Sequence, residues 1–211
     1  MKVLPYACLV YVSVQLLPAP ISTNGWVSLP EGQAVDGYTR KDNHIYCGEV
    51  ACGAAPMSGV DVTTFQVWPG SKYAKDKAAV YYPLRITCHD YADCGVCACT
   101  KYRLSNVAVQ AFTYLGKDYA TDHTTVVFRG QVLQGADGKS FRVIRGPEFF
   151  YFAVDKGHVY KHDQVFVGAD PHTFYYDRFN KRTDEQANEY VVADRRHKWL
   201  FIPPTTIQVL K

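Results

Sequence analysis

The chain has 211 residues and a mass of 23.8 kDa, which suits one ordinary domain or an array of small units and excludes several large domains. An apolar fraction of 47% excludes a disordered chain, and a net charge of +3 is too small to indicate nucleic acid or an anionic membrane as partner. The composition also excludes collagen-like, coiled-coil and multi-span membrane proteins. The 16 tyrosines and 11 phenylalanines, against 2 methionines, favour β structure.

The first segment has the pattern of an export signal. Lys2 is the only charged residue before Glu31, and it precedes a short apolar run that ends at Pro18. One positive charge, a short apolar run and small residues are typical of a secretory signal peptide. The run is too short and too interrupted by Pro5 for a membrane span of about 20 residues. We therefore predict a signal peptide over residues 1–25, with its cleavage site open, and a secreted (extracellular or periplasmic) mature chain without a membrane span.

A repeated phrase runs through the rest of the chain: an aromatic residue, a small residue, any residue, Asp, and then Val with an aromatic residue a few positions later. Its clear copies begin at Tyr73, Tyr119 and Phe152, and weaker copies begin at Tyr38 and Tyr190. The starts are 35, 46, 33 and 38 residues apart, so the period is about 33 to 38 and the longest gap contains an insertion. The phrase predicts a short hairpin with Asp at the turn.

A second phrase lies between these copies: Gly, Val or Ala, Asp, two variable residues, Thr or Ser, and Phe. It occurs at residues 59–65, 135–141 and 168–174, and a degenerate copy with Ala108 in place of Asp ends at Phe112. It predicts a loop that delivers Phe into the next strand. In both phrases Asp is predicted to cap a turn by accepting backbone N–H bonds. The predicted turn and cap residues are Asp61, Asp76, Asp122, Asp137, Asp155 and Asp170.

Each unit then has three or four short strands and cannot bury its aromatic face alone, so neighbouring units must stack. The sequence therefore predicts an all-β protein in which tandem short β-hairpin or meander repeats stack as a solenoid-like or partly closed array, with a disulfide-rich insertion at about residues 85–106. We expect residues 26–211 to form one repeat-built domain with units starting near residues 38, 73, 119, 152 and 190.

The stretch from Tyr73 to Tyr82 and the phrase from Gly168 to Phe174 resemble the repeat of the DKNYY family. The resemblance covers about residues 37–204. Ala78 stands where the family name implies Asn, and Lys41 occupies the turn position of Asp in the first copy. The insertion between Leu84 and Val107 has no counterpart in the plain repeat. The resemblance implies a β-rich repeat protein, often exported, and it brings no catalytic residues.

Six cysteines remain once Cys8 leaves with the signal peptide, and an even number in an exported chain predicts disulfides. We expect a local Cys47–Cys52 bridge and two bridges within residues 88–99. Alternatively, Cys47 and Cys52 both bond to the insertion. The disulfide candidates are Cys47, Cys52, Cys88, Cys94, Cys97 and Cys99.

The insertion also admits a chemical interpretation. Cys94-x-x-Cys97, with Cys88 and His89, offers ligands for zinc or the spacing of a thiol-disulfide redox motif. No βαβ pattern surrounds it, however, and a second pair of zinc ligands is absent from the sequence, so we predict no metal and no cofactor. Four of the histidines fall in or near the predicted hairpin turns, and we predict no catalytic residue. These histidines are His44, His123, His158 and His197.

The function predicted from this architecture is non-enzymatic binding by a secreted protein, with an extracellular protein or glycan as the unknown partner and no nucleic acid. The alternatives are an exported thiol-redox or metal-binding protein centred on residues 88–99, and a structural surface protein. Aromatic side chains beyond those that strand alternation requires are the predicted contact residues. They are Phe149, Phe150, Tyr151, Tyr175 and Tyr176.

Overall fold

The computed structural model describes residues 25–48, 50, 54–91, 94–144, 146, 151–180, 189–202 and 206–210. Nearly all of the predicted signal peptide lies outside these residues. Within them the regular structure consists of strands and one 3-10 turn at Val109–Ala111, which confirms the all-β prediction. The first eight strands are β1 (Val27–Ser28), β2 (Ala34–Val35), β3 (Tyr38–Lys41), β4 (His44–Cys47), β5 (Gln66–Val67), β6 (Ala74–Lys75), β7 (Val80–Tyr91) and β8 (Cys94–Arg103).

The remaining strands are short and follow one another at the repeat period. They are β9 (Thr113–Gly116), β10 (Tyr119–Thr121), β11 (Val126–Phe128), β12 (Gln131–Val132), β13 (Arg142–Val143), β14 (Phe152–Val154), β15 (Val159–Lys161), β16 (Gln164–Val165), β17 (Tyr175–Asn180), β18 (Glu189–Ala193), β19 (Lys198–Ile202) and β20 (Thr206–Leu210).

The described strands form five antiparallel sheets, which we number in chain order. The first sheet contains β2, β3 and β4, and the second has the order β1-β5-β6-β7-β8. The third, fourth and fifth sheets are four-stranded meanders made of β9–β12, β13–β16 and β17–β20. Each predicted unit start lies at or beside the first strand of a hairpin inside its sheet, because the aromatic phrase forms that hairpin. These first strands are β3, β6, β10, β14 and β18.

The alternation of side chains along the first strand of this hairpin explains how the sheets stack. Tyr73 packs in a cluster with Phe112 and Ala120 of the third unit, whereas its neighbour Ala74 packs in the cluster shared with the first sheet. Tyr119 likewise packs toward the fourth sheet while Ala120 faces the second. Successive side chains on a strand point to opposite faces, so the Tyr-Ala pair presents a large ring to the following sheet and a small methyl group to the preceding one.

Four buried clusters result, and each joins sheets that are consecutive in the chain. The cluster between the fourth and fifth sheets is the most aromatic, with Phe152, Phe174, Trp199 and Phe201 all less than about a tenth exposed. Phe152 lies 5.0 Å from Phe174 and 5.5 Å from Phe201 between ring centroids. Because no sheet is covered on its own, each unit gains its buried area from its neighbours.

Tyrosine hydroxyls add polar links between units. The Oη of Tyr38 donates to the carbonyl of Lys72 at 3.1 Å, and that of Tyr73 to the carbonyl of Asp118 at 2.9 Å. The Oη of Tyr119 donates to the carbonyl of His162 at 2.6 Å. Since each of these rings is fully buried, its hydroxyl needs a partner, and the next unit supplies it.

We expect Tyr119→Phe to lower the free energy of unfolding by about 1 kcal/mol, because it removes one inter-unit hydrogen bond while keeping the ring. Tyr175→Phe, at a residue that is 45% exposed, should change stability by less than about 0.5 kcal/mol. Urea unfolding followed by far-UV circular dichroism measures both. Equal effects of the two substitutions would contradict a role for the Tyr119 hydroxyl.

In the described residues the predicted disulfide-rich insertion consists mainly of two long strands, which pair with each other and are joined by the Cys88–Cys97 bond. β7 and β8 span 12 and 10 residues and pair along most of their length, and we call this hairpin the arm. Gly48 forms an antiparallel bridge with Ala98, and Cys47 is bonded to Cys99. The first sheet has three strands, so the arm lies along the edge at which its fourth strand would otherwise stand.

Candidate functional site

A buried carboxylate organises one hairpin turn in each of the second to fifth sheets. Asp155 Oδ1 accepts the backbone N–H groups of Gly157 and His158, both at 2.7 Å. Its Oδ2 accepts the N–H of Asp137 at 2.9 Å and the hydroxyl of Tyr160 at 2.8 Å. We call this arrangement the clip. One oxygen caps the turn and the other holds the preceding loop, so a single side chain joins the two repeated phrases of the sequence.

The clip recurs in four units. Asp76, Asp122 and Asp194 each accept two N–H groups of their own turn on Oδ1 and one N–H of the preceding loop on Oδ2. The exposed fraction of all four clip residues is 6% or less. Asp194 was absent from the set of caps predicted from the sequence, although its Asp-x-x-His spacing matches that of Asp155 and could have identified it.

The aspartate of the second phrase reinforces the clip. Asp137 Oδ1 accepts the N–H and hydroxyl of Ser140, at 3.0 and 2.8 Å, and its Oδ2 pairs with Lys156 Nζ at 2.7 Å. Ser140 Oγ in turn accepts the N–H of Lys156 at 3.0 Å. The same ion pairs form between Asp61 and Lys77 and between Asp170 and Arg195. In these three units a basic residue directly follows the clip aspartate and pairs with an acidic residue of the preceding loop.

The third unit lacks all three residues that reinforce the clip in the other units just described. Ala108 and Ala111 occupy the positions of the aspartate and the hydroxyl residue, and His123 occupies the position of the basic residue. The N–H of Ala108 still donates to Asp122 Oδ2 at 2.6 Å, so the clip itself persists. In the third unit the clip therefore forms without the outer ion pair.

The clip carboxyls are ionised and fully engaged. Burial alone would raise the pKa of Asp76, Asp122, Asp155 and Asp194, but the N–H and O–H donors around each carboxylate outweigh burial and lower it. The hydrogen bond from Lys156 is the main cause that lowers the pKa of Asp137 to about 2. Carboxylates in this state accept hydrogen bonds and hold the fold, and they are poor proton donors at neutral pH.

We expect acid to unfold the protein through these clips. Their folded-state pKa values lie below the unfolded value of about 4, so the unfolded chain binds protons first and stability falls as the pH drops below about 4. Asp155→Asn removes one such group, so its loss of stability between pH 6 and pH 3 should be smaller than that of the wild type. Urea midpoints at several pH values measure this difference. Parallel curves would contradict a clip contribution.

The disulfides differ from the pairing predicted first. Cys47 bonds to Cys99 and Cys88 bonds to Cys97, so the expected Cys47–Cys52 bridge is wrong. Of the two bridges expected within residues 88–99, the Cys88–Cys97 bond is present, and a second is excluded because Cys99 is bonded to Cys47. The alternative holds for Cys47, which connects the insertion to the first unit across 52 residues. Cys52 and the side chains of His89 and Cys94 lie outside the described part of the chain.

This pairing bears on the chemical interpretation of the insertion. Cys97 is bonded to Cys88, which faces it across the arm, so neither thiol is a free zinc ligand. For the same reason Cys97 is not closed on Cys94 as a Cys-x-x-Cys pair. Among the described residues there is no group of three or more histidine, cysteine or acidic side chains placed to hold a metal ion.

The histidines occupy separate turns. His158 Nδ1 lies 3.7 Å from Asp155 Oδ1, and His197 Nδ1 lies 3.5 Å from Asp194 Oδ1 in the equivalent position. His162 differs, because its ring stacks on Phe128 with 5.9 Å between centroids, and burial lowers its pKa. These three imidazoles belong to different turns and do not form a common cluster.

The predicted contact aromatics divide into three groups. Tyr151 is 8% exposed and packs against Tyr119 and His162, so it belongs to the core rather than to an exposed patch. Tyr176 is partly buried against Phe152, whereas Tyr175 is 45% exposed. Phe149 and Phe150 lie outside the described residues. Alternation along β17 separates Tyr175 from Tyr176, which a count of aromatic residues does not reveal.

Exposed aliphatic side chains concentrate on the fourth strands of the last three sheets. Val165 pairs with Tyr160 and therefore faces the third sheet, while Gln131 pairs with Phe128 and faces the fourth. An amide and a valine thus line opposite walls at the outer opening between these sheets. We call β12, β16 and β20 together the outer edge. A Gln-Val pair recurs in these strands at residues 131, 164 and 208, although the same pair at residues 66 and 67 lies in the inner strand β5.

Together these features define a class of protein, a stack of β-meander repeats held by carboxylate clips and disulfides. The particular resemblance is to the DKNYY family, whose model matches residues 89–164. The matched region runs from the arm through the third unit to β16, and it includes the clips of Asp122 and Asp155. No curated protein and no solved structure matches the chain. Within the described residues no helix is long and apolar enough to cross a membrane.

Proposed function

We propose that the chain is a secreted, non-enzymatic binding protein that contacts an extracellular protein through β12 and β16 of its outer edge. The observation that carries this proposal is the use of the repeated polar residues. The clip carboxylates are saturated with hydrogen bonds, and four cysteines are bonded in disulfides. The repeated polar groups are therefore used to hold the fold, and the exposed residues offer a contact surface rather than reactive groups.

Export is supported by the cysteines and by the first segment. Two disulfides persist in an oxidising compartment and are rare in a reducing one. The single lysine and the short apolar run of the first segment have the pattern of a signal peptide, which would direct the chain to export. Peptide mapping of the purified protein under non-reducing conditions should recover the Cys47–Cys99 and Cys88–Cys97 links. A free Cys88–Cys97 pair would instead support the thiol-redox alternative.

The outer edge is suited to a protein partner. Val132, Val165 and Val167 are 38%, 44% and 84% exposed, and Val132 and Val165 lie in β12 and β16, which are outermost in their sheets among the described strands. A partner protein can pack apolar side chains against these valines, whereas the two-residue strands offer few backbone groups for pairing with a further strand. Gln131 and Gln164 offer both donors and acceptors without imposing a charge on the partner.

A capture experiment with matched variants tests the proposal. The mature protein is immobilised and exposed to extracellular fluid or surface proteins of the source organism, and retained proteins are cross-linked and identified. We expect Val132→Lys/Val165→Lys to abolish retention of a specific protein. His44→Gln/His172→Gln, which changes exposed residues away from the outer edge, should leave it intact.

Both variants must first show the unfolding midpoint of the wild type. Retention of no protein above a blank surface, or equal retention by the valine variant, would overturn the proposed surface. Retention that is lost in the histidine variant would place the contact elsewhere. A glycan array run with the same proteins decides the other partner class, and glycan binding without protein capture would overturn a protein partner.

A further inference from the structure

Most strand edges in the described part of the chain are blunted. The edges formed by β2, β12, β13 and β16 are two residues long, and β1 adds only two residues beside β5. β17 has a register shift between Tyr176 and Arg178 and carries Asp177 in the irregularity. The edge of the first sheet is bridged by the arm through Gly48 and Ala98. Short strands, bulges, charges and covered edges all discourage pairing with another chain.

β20 shows none of these protections. Its five residues pair without a register break with all five residues of β19. The sequence Thr-Ile-Gln-Val-Leu contains no charge, no proline and no glycine. Ile207 is 45% exposed and Val209 is 63% exposed. A regular, uncharged edge with exposed β-branched side chains is the kind that pairs with a further strand.

The side chains of β20 are also suited to pairing with themselves. In an antiparallel pair of two such strands centred on Gln208, Ile207 of one copy stands opposite Val209 of the other, and the two Gln208 amides face each other. Apolar residues then meet on one face, and amides that can bond mutually meet on the other. A charged residue on this strand would meet its own sign across the two-fold axis, and β20 has none.

The exposure of these aliphatic residues has a structural cause. Ile207 and Val209 pair with Phe201 and Trp199, so they point to the side of the fifth sheet that faces the fourth. The outermost strand of the fourth sheet, β16, has only two residues. A second copy would cover the two side chains that this sheet leaves exposed.

We propose that β20 is a self-association edge, at which two copies of the chain pair antiparallel about Gln208 and join their fifth sheets into one continuous sheet. The contact is a single five-residue strand, so it falls below the area of a stable standard-size interface and gives a weak, concentration-dependent dimer. This association is separate from capture of another protein at β12 and β16.

Complementary charge variants test the proposal directly. I207K/V209K places lysines on the edge, and I207E/V209E places glutamates there. Each variant alone should weaken dimerisation by roughly tenfold or more, because two like-charged pairs face each other. An equimolar mixture should form a heterodimer, because each lysine then faces a glutamate of the other chain. Sedimentation velocity over a range of concentrations from micromolar to near-millimolar measures all three.

The matched control is V132K/V165K, which adds the same two charges to exposed valines of the other outer strands. It should dimerise like the wild type, and Q208C should cross-link two copies on oxidation. A wild type that sediments as a monomer throughout the range would overturn the proposal. So would a mixture that stays monomeric, or loss of dimerisation in V132K/V165K, and the latter would move the self-contact to β12 and β16.

Discussion

Asp155→Ala is expected to lower the free energy of unfolding by about 3–5 kcal/mol. The substitution removes a carboxylate that accepts three backbone N–H groups and the hydroxyl of Tyr160, all within 2.9 Å. Hydrogen bonds to charged groups contribute about 1.5–3 kcal/mol each, and donors left buried without a partner add a desolvation cost. Because the contributions are not additive, we expect less than their sum. Chemical unfolding in urea measures the change.

Asp163→Ala is the control in the same sheet. Asp163 is exposed in the turn between β15 and β16, so its removal should change stability by less than about 0.5 kcal/mol. If Asp155→Ala were as stable as Asp163→Ala, the clip would be incidental to the fold. Tyr160→Phe, which removes one of the four donors, should lie between the two.

Gly48→Ala is expected to destabilise the protein by about 3 kcal/mol or more and to impair closure of the Cys47–Cys99 bond. Gly48 has φ of +106°, a conformation that residues with a side chain rarely adopt. A Cβ at this position would also collide with the carbonyl oxygen of Cys97 and lie 3.1 Å from the Cα of Ala98. The arm would have to move away from the first sheet, so both the backbone strain and the steric clash count against the variant.

Gly37→Ala separates these two causes. Gly37 has φ of +87°, but a Cβ there meets no atom within 4 Å. It should therefore show the cost of backbone strain alone, about 1–2 kcal/mol. Unfolding midpoints and the fraction of protein with Cys47 and Cys99 bonded compare the variants. Equal stability losses in Gly48→Ala and Gly37→Ala would contradict a close contact between Gly48 and the arm.

Most of the fold could be predicted from short patterns in the sequence. The Tyr-Ala-x-Asp phrase predicts hairpins because its turn chemistry, its alternation and its spacing lie within a few residues of one another, and the structure has these hairpins at β10–β11 and β14–β15. The caps at Asp122 and Asp155 follow from the same short range. What the phrase did not predict is the second oxygen of each clip, which reaches 14 to 24 residues back along the chain.

Features that depend on contacts between distant residues could not be predicted, because short sequence patterns do not show where the strands lie relative to one another. The Cys47–Cys99 pairing depends on where the arm lies relative to the first sheet, and six cysteines allow 15 pairings that spacing alone does not rank. The cysteines of the insertion do not indicate strands, whereas β7 and β8 pair with each other through most of it. Exposure at the outer edge depends on which strand is outermost, so Val165 and Val209 could be identified only once the strand order was known.

The Tyr-Ala alternation has a consequence for how such a chain grows. In the second, third and fourth units a bulky ring faces the next sheet and the alanine beside it faces the previous sheet, so a duplicated unit of this kind inserted in sequence meets a compatible surface on both sides. The third unit shows how such copies can diverge, because its outer ion pair is missing as a complete set while its clip remains. The number of units and the charged groups on their surface can therefore change without altering the contacts between sheets.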